Sequence, residues 1–341
     1  MIRIGIIGLG KMGISHCSIL NAHPLVASLA VCDTSSFIMS AIKKYTPMVC
    51  YKDYQKMIRE FKPVGIFVAT PTKSHFDIAK FGLENNCHVF MEKPLCLNPD
   101  QSKSLASLAE EKGLVTQTGY HNRFLGSFRE MKRLLEKNVI GEIYHYFGEA
   151  YGPVVLKEEG GTWRSKREEG GGCLYDYAAH VINLVNYLIG MPYKVQGSVL
   201  QSIYSKHVED AVFSNLIHEN GVVGRLAINW SDESYRKMAT QITVQGKKGK
   251  IVGDAQEVKI YLNEPDGEER LEKGWNIRWI TDVTPSVDFY LRGEEYSSQI
   301  DSFLTSVVEK NTDTINSFKR AALTDEVISL IIEDANQGEA R

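Results

Sequence analysis

The chain has 341 residues, more than one ordinary core needs and enough for two packed domains. Its 43% hydrophobic and 24% charged residues are the balance of an average globular protein. A net charge of −3 gives no electrostatic footprint for nucleic acid or an anionic membrane, and no apolar run reaches the roughly 18 residues of a membrane span.

The first residues, Met1-Ile2-Arg3-Ile4, pass directly into a strand-like run, Ile2–Ile7, with no signal-peptide pattern; this favours a cytoplasmic chain. Further strand-like runs fall at Leu25–Val31, Val64–Ala69, His88–Met91 and Leu114–Thr118, with a weaker one at Met48–Tyr51. Helical segments separate them. Asp53 is expected to cap Tyr54–Glu60, Ser74 to cap Phe76–Asn85, and Asn98-Pro99 to open a helix reaching Glu111. Nearly continuous apolar strands are those covered on both faces, so the β-α-β alternation predicts a doubly wound parallel sheet.

After Thr118 the pattern changes. A helix is expected over Ser127–Lys137, a long alternating stretch from Gly141 to Val155, a polar loop over Gly160–Gly172, and a helix over Leu174–Ile189 stopped by Gly190 and Pro192. Strand-like runs follow at Lys194–Tyr204, Ala211–His218, Val222–Trp230, Gln241–Gln245, Lys250–Gly253 and Glu257–Leu262. Hairpin turns fit Glu219-Asn220-Gly221 and Gly246-Lys247-Lys248-Gly249, and helices over Glu295–Lys310 and Phe318–Gln337 close the chain. Consecutive strands without helices between them imply a mostly antiparallel sheet in an α+β domain. The expected division is 1–120 and 121–341. The six cysteines form no Cys-x-x-Cys pair, so they read as reduced thiols and not as a zinc site.

Gly8, Gly10 and Gly13 form Gly-x-Gly-x-x-Gly between the first strand and the helix after it. The glycines give a tight turn, close backbone approach to a pyrophosphate and close helix–strand packing, and the helix N-terminus offers its N–H groups to phosphate. Leu9, Lys11 and Met12 contribute backbone to the same turn. Asp33 ends the next strand, about twenty residues on, where an acid grips a ribose hydroxyl and repels a 2′-phosphate. NAD is therefore expected over NADP. Thr34 and Ser35 can bond either cofactor.

Other candidates gather at strand ends. Thr70-Pro71 and Glu92-Lys93-Pro94 sit on the carboxyl edge, where open α/β sheets bind ligands. His75 follows the first of these, to touch the cofactor or to cap a helix. Asp176 and His180 lie four apart on one expected helix, hence on one face, after Gly170-Gly171-Gly172. Tyr120, Asn122 and Arg123 mark the domain crossing; Arg123 suits either a substrate or a structural salt bridge. Trp163 and Arg164 suit a sugar face or the cofactor. No His-Glu-x-x-His or cysteine pair supports a metal. Trp230 is expected to pack in the sheet, and Lys247-Lys248 to form a solvated hairpin tip.

At Gly8–Gly13, Thr70-Pro71 with His75, Glu92-Lys93-Pro94, Gly119-Tyr120 with Arg123-Phe124, Trp163-Arg164, and Gly170-Gly171-Gly172 followed by Asp176 and His180, the sequence resembles the glucose–fructose oxidoreductase, inositol dehydrogenase and rhizopine catabolism (Gfo/Idh/MocA) family. Glu209-Asp210 and the closing helices extend the resemblance over essentially the whole chain. It implies a Rossmann domain followed by a domain with a large open sheet, and association as a homodimer or homotetramer through that sheet. It also implies hydride transfer on a sugar, nucleotide sugar or cyclitol. Hydride removal from a carbinol carbon requires a base for the hydroxyl proton, and the reverse reaction requires an acid. His180 and Lys93 each suit that task, Lys93 also favours a developing alkoxide, and Asp176 can orient His180 or bond substrate. The competing expectation is a non-catalytic dinucleotide sensor of the same fold; retention of Lys93, Asp176 and His180 argues for an enzyme.

Overall fold

The computed structural model describes residues 1–158 and 162–339; Gly160 and Gly161 of the expected loop lie outside the described residues. The chain forms two compact units, Met1–His121 with Ser286–Asp325, and Asn122–Pro285 with the residues from Glu326 onward. The first alternates β1 (Ile2–Ile7), α1 (Lys11–Ala22), β2 (Val26–Cys32), α2 (Ser36–Tyr45), β3 (Val49–Tyr51), α3 (Tyr54–Phe61), β4 (Gly65–Val68), α4 (His75–Glu84), β5 (His88–Met91), α5 (Pro99–Glu111) and β6 (Thr116–Thr118). All pairings among these strands are parallel, in the order β3-β2-β1-β4-β5-β6. That order places the reversal of winding between β1 and β4, and ligands of such sheets bind at the carboxyl ends beside it.

The second unit contains α6 (Gly126–Glu136), β7 (Ile143–Tyr151), a π-helical turn Leu174–Ala178 running into α7 (Ala179–Leu188), β8 (Lys194–Gln201), β9 (Ala211–Ile217), β10 (Val223–Asn229), β11 (Ala239–Gly246), β12 (Gly249–Gly253), β13 (Glu257–Leu262), β14 (Gly274–Trp279) and the short α8 (Ile280–Val283). Its eight strands order as β14-β13-β12-β11-β7-β10-β9-β8. Every neighbour is antiparallel except β7 with β10, which the sequence pattern does not reveal. One face is buried by α6 and α7. On the other, β14 leaves Trp275, Ile277 and Trp279 exposed, in register with Tyr261, Lys259 and Glu257 of β13. The two expected hairpins are present, between β9 and β10 and between β11 and β12.

The chain then continues through α9 (Glu294–Glu309) to α10 (Phe318–Glu339). Ile300, Phe303 and Leu304 of α9 pack with Ile4, Ile6, Phe67 and Phe90 in the core of the first unit. Phe303 meets Phe67 and Phe90 edge to face at 5.3 and 5.9 Å. Burying such a ring contributes about 2 kcal/mol, so α9 belongs with the parallel sheet although it comes after the second unit in sequence. At the start of α10, Asp325 Oδ2 accepts from the Cys96 N–H and the Ser102 hydroxyl, at 3.1 and 2.6 Å. A division of the chain at residue 120 alone would leave this returning segment out.

Two local expectations change. Ser74 makes no capping bond; its Oγ lies 2.8 Å from both Thr70 Oγ1 and Pro71 O, so it serves the turn before α4. The helix expected over Leu174–Ile189 opens with π geometry instead of α. Asp53 and Asn98 do cap α3 and α5, accepting from Lys56 N–H and Asp100 N–H.

Candidate active site

The glycine turn joins β1 to α1. Gly8 has φ +89°, and a Cβ there would lie 2.7 Å from the Ala69 carbonyl oxygen; only glycine combines that conformation with so close an approach to the end of β4. A Cβ on Gly13 would overlap the Gly8 carbonyl oxygen, so Gly13 lets α1 press onto the turn. Gly10, the N-cap of α1, faces open space, with nothing within 4 Å of a Cβ built on it. The helix has no capping side chain and no acid in its first turn. Its unpaired N–H groups and the positive end of its dipole thus face outward past Gly10. Asp33 closes the turn: Oδ2 accepts from the Leu9 N–H at 2.6 Å and Oδ1 from the Ser35 N–H at 2.7 Å. A carboxylate has about four lone-pair sites, so acceptor capacity remains for a ribose diol. Thr34 is exposed and Ser35 caps α2. An open helix N-terminus, a glycine that admits close approach and a carboxylate at the end of β2 together fit a dinucleotide.

At the end of β4, Thr70 and Pro71 lead into a 3-10 turn and then α4. His75 is 1% exposed, with Nε2 3.0 Å from the Thr70 carbonyl oxygen and Nδ1 3.0 Å from that of Pro94. It therefore ties the Thr70-Pro71 turn to the Glu92-Lys93-Pro94 turn. Burial pushes its imidazole below its usual range, against the opposing pull of the carbonyls. Lys93, half-buried, follows β5. Beside it Glu92 Oε1 accepts from His16 Nε2 at 2.6 Å. Burial opposes the charge on Glu92, but the His16 hydrogen bond and the charges of His16, Lys93 and His121 outweigh it and hold the carboxyl below its ordinary range.

In the second unit Arg164 Nε donates to Asp176 Oδ2 at 3.1 Å, joining two residues singled out separately in the sequence. The Arg164 guanidinium also lies over the Trp163 ring, 4.6 Å from its centroid. Asp176 sits in the π turn and His180 in the first turn of α7, and both are buried. A π turn inside a helix re-aims side chains and occurs often at functional sites. Glu209 fastens this segment. Its Oε1 accepts from the Leu174 N–H at 3.0 Å, its Oε2 accepts from Arg167 at 2.9 Å, and it leaves no room for a Cβ at Gly172. Burial pushes the Glu209 carboxyl up, against those bonds. Asp210 next to it accepts from the N–H groups of Ile203, Tyr204 and Ser205, the Ser205 hydroxyl and Trp230 Nε1. Trp230 packs in the sheet as expected and adds this bond. Lys247 at its hairpin tip pairs with Glu142 at 2.6 Å.

Tyr120 and Asn122 are buried on either side of the break between the units. Arg123 is buried too; it donates to the Asn183 carbonyl at 2.8 Å and lies against the Tyr187 ring, so it braces α7. Sequence reasoning passed over His16 and His121, and it placed Glu209 in the resemblance without giving it a role. For His16 a signal existed: it stands three residues past Gly13 on α1. Among the described residues no group of three or more His, Cys, Asp or Glu is placed to hold a metal, and no helix is long and apolar enough to cross a membrane.

Fold and glycine turn define an oxidoreductase-type dinucleotide-binding protein. Comparison with known proteins agrees. The model for an oxidoreductase family with an NAD-binding Rossmann fold matches residues 2–120, and the Gfo/Idh/MocA C-terminal domain matches residues 128–252. The chain belongs to the Gfo/Idh/MocA family of NAD-binding oxidoreductases. D-glucoside 3-dehydrogenase of Escherichia coli is 27% identical over 256 residues, 69% of this chain and 70% of that protein. The NAD(+)-dependent scyllo-inositol 2-dehydrogenase of Bacillus subtilis is 24% identical over 191 residues, 55% of this chain and 54% of that one, so the match spans about half its length. Levoglucosan dehydrogenase, solved with NADH and levoglucosan, superposes with a TM-score of 0.86 at 20% identity, covering 98% of this chain and 97% of that one.

Proposed function

We propose that the protein is a cytoplasmic NAD(H)-dependent dehydrogenase acting on a hydroxyl-bearing carbon of a sugar, nucleotide sugar or cyclitol, or on the corresponding ketone. The observation that carries this reading is the buried Asp176, paired with Arg164 next to Trp163 and four residues before His180. A guanidinium, a carboxylate, an imidazole and an aromatic face supply the donors, acceptors and apolar surface that a polyhydroxylated ring needs. Relatives named for a glucoside and for inositol support the same class. Asp33 favours NAD, because a 2′-phosphate would add charge next to its carboxylate.

Hydride exchange is the chemistry that nicotinamide supplies when bound. Lys93 donates to the reacting oxygen and favours alkoxide character there. Asp176 orients His180, and the hydroxyl proton passes to Lys93 or His180. The backbone of Gly8–Gly13 takes the pyrophosphate, with Thr70, Pro71 and Glu92 lining the same strand edge. The exposed Trp275, Ile277 and Trp279 of β14 support association through the open sheet face as a homodimer or homotetramer; a monomeric mass in light scattering would refute it.

The test is absorbance at 340 nm with NAD+ and a panel of glucosides, inositols and nucleotide sugars. Turnover on at least one member, faster with NAD+ than with NADP+, is the expected result. NADH binding with no turnover across the panel would instead identify a dinucleotide sensor.

A further inference from the structure

The backbone just after Lys93 is held at Pro94, Leu95 and Cys96 in turn. His75 Nδ1 lies 3.0 Å from the Pro94 carbonyl oxygen and 3.3 Å from that of Leu95, and the Cys96 N–H donates to Asp325 Oδ2 at 3.1 Å. All five residues are buried. Asp325 stands 229 positions after Cys96, two turns into α10. It reaches the turn because the chain just before it is fastened to β6. Thr118 N–H donates to Asn316 O at 2.8 Å, Thr314 Oγ1 to Thr116 O at 2.6 Å, and Asn316 Nδ2 to Tyr120 O at 2.8 Å. β6 pairs with β5, the strand that leads into Lys93. The returning segment is thus rooted on one strand and meets the turn at the end of the next.

Asp325 makes its bonds through one oxygen. Oδ2 accepts from the Cys96 N–H and, at 2.6 Å, from the Ser102 hydroxyl, while Oδ1 is buried with no hydrogen-bond partner among the described residues. Burial pushes this carboxyl up to about 7, against the pull of Ser102 and Cys96. A carboxyl so enclosed is costly to bury, and the two groups it joins are the end of the Lys93 turn and the first turn of α5. We propose that Asp325 is a positioning residue for Lys93: it holds the Cys96 N–H against α5 while His75 holds the two carbonyls before it, and the fixed turn sets where the lysine side chain begins. This role rests on Lys93 being a catalytic residue, the reading given above. A tie between α10 and α5 that served stability alone would instead act on α5 as much as on the turn. Lys103, next to Ser102 on α5, reports that difference.

Two measurements on the full-length protein need no substrate. Hydrogen exchange should find the Cys96 amide protected like those of β5, although it lies outside every helix and strand; exchange at the rate of open loops would overturn the proposal. Acetylation by acetic anhydride, followed by peptide mass, then reads the placement of Lys93 against that of Lys103. Asp325→Ala should speed Cys96 exchange by about tenfold and Lys93 acetylation by about threefold, with Lys103 near its parent rate. Asp325→Asn, whose amide oxygen can still accept both bonds, should restore the parent values. Parent rates at Cys96 and Lys93 in Asp325→Ala, or equal rises at Lys93 and Lys103, would sink the positioning role. Should Asp325→Ala fail to fold, Asp325→Ser, one bond shorter than the carboxyl, is judged by the same criteria. On a substrate the parent oxidises, Asp325→Ala should lower kcat by about tenfold with KM little changed. Full turnover in Lys93→Ala refutes the catalytic reading, whereas an inactive Lys93→Ala with parent kcat in Asp325→Ala refutes only the role of Asp325.

Discussion

Replacing Lys93 by alanine is expected to lower turnover by about 10²–10⁴-fold while NADH still binds within about threefold of the parent. The first half follows from chemistry. A group that donates to the reacting oxygen and exchanges its proton acts on the transition state, so its removal lowers kcat more than it raises KM. The second half follows from the local structure. The turn that carries Lys93 is held by backbone carbonyls: His75 lies against Pro94 O and Leu95 O, not against the lysine side chain. Cys96 N–H is anchored on Asp325. Truncating the side chain therefore leaves the turn in place. Lys93→Arg separates two roles, because arginine keeps the positive charge and does not release a proton near neutral pH. Activity in Lys93→Arg near the parent level assigns the proton to His180, and loss in both variants assigns it to Lys93. Full turnover in Lys93→Ala, measured at 340 nm on a substrate the parent oxidises, would refute the mechanism.

Much of the first unit can be read in the sequence because its signals are local. Gly8, Gly10 and Gly13 stand between a strand and a helix, and β1, β5 and α5 occupy the expected residues. The Lys93 turn is legible for the same reason: it ends an apolar run. Features that depend on distant partners are not legible. The helix Ser36–Tyr45 passes unnoticed although Ile38, Met39 and Ile42 have helical spacing and pack toward the core. β14 is hidden because it is an edge strand whose large residues, Trp275, Ile277 and Trp279, face outward in a polar stretch. The π turn at Leu174–Ala178 is invisible because apolar spacing does not record which carbonyl each N–H selects; Glu209, some thirty-five positions away, takes the Leu174 N–H.

The candidate site shows the same division. Arg164 and Asp176 are separately conspicuous, but their ion pair depends on how the segment before Gly170 folds back. Gly171 allows this, since a Cβ there would overlap the Trp163 and Arg164 carbonyl oxygens. The sequence places the parts, and packing decides which of them meet.

Gly10→Ala should separate cofactor binding from folding. Gly10 has φ −67°, a value any residue adopts, and a Cβ there meets nothing within 4 Å. Alanine at a helix N-cap costs up to about 1 kcal/mol relative to glycine. The variant should therefore melt within a few degrees of the parent, on the scale that such an energy sets. Its methyl group, however, stands over the N–H groups that open α1. If a pyrophosphate lies there, a methyl keeps it from the backbone, and NADH affinity should fall by about tenfold or more, since each 1.4 kcal/mol lost is a factor of ten. Gly13→Ala makes the contrast. Its Cβ overlaps the Gly8 carbonyl oxygen, so the turn must open, and stability and binding should fall together. Fluorescence titration with NADH alongside thermal melts reads both variants. Parent-like NADH affinity in Gly10→Ala would mean that no pyrophosphate rests on this turn, and the assignment of Gly8–Gly13 to the cofactor would fail with it.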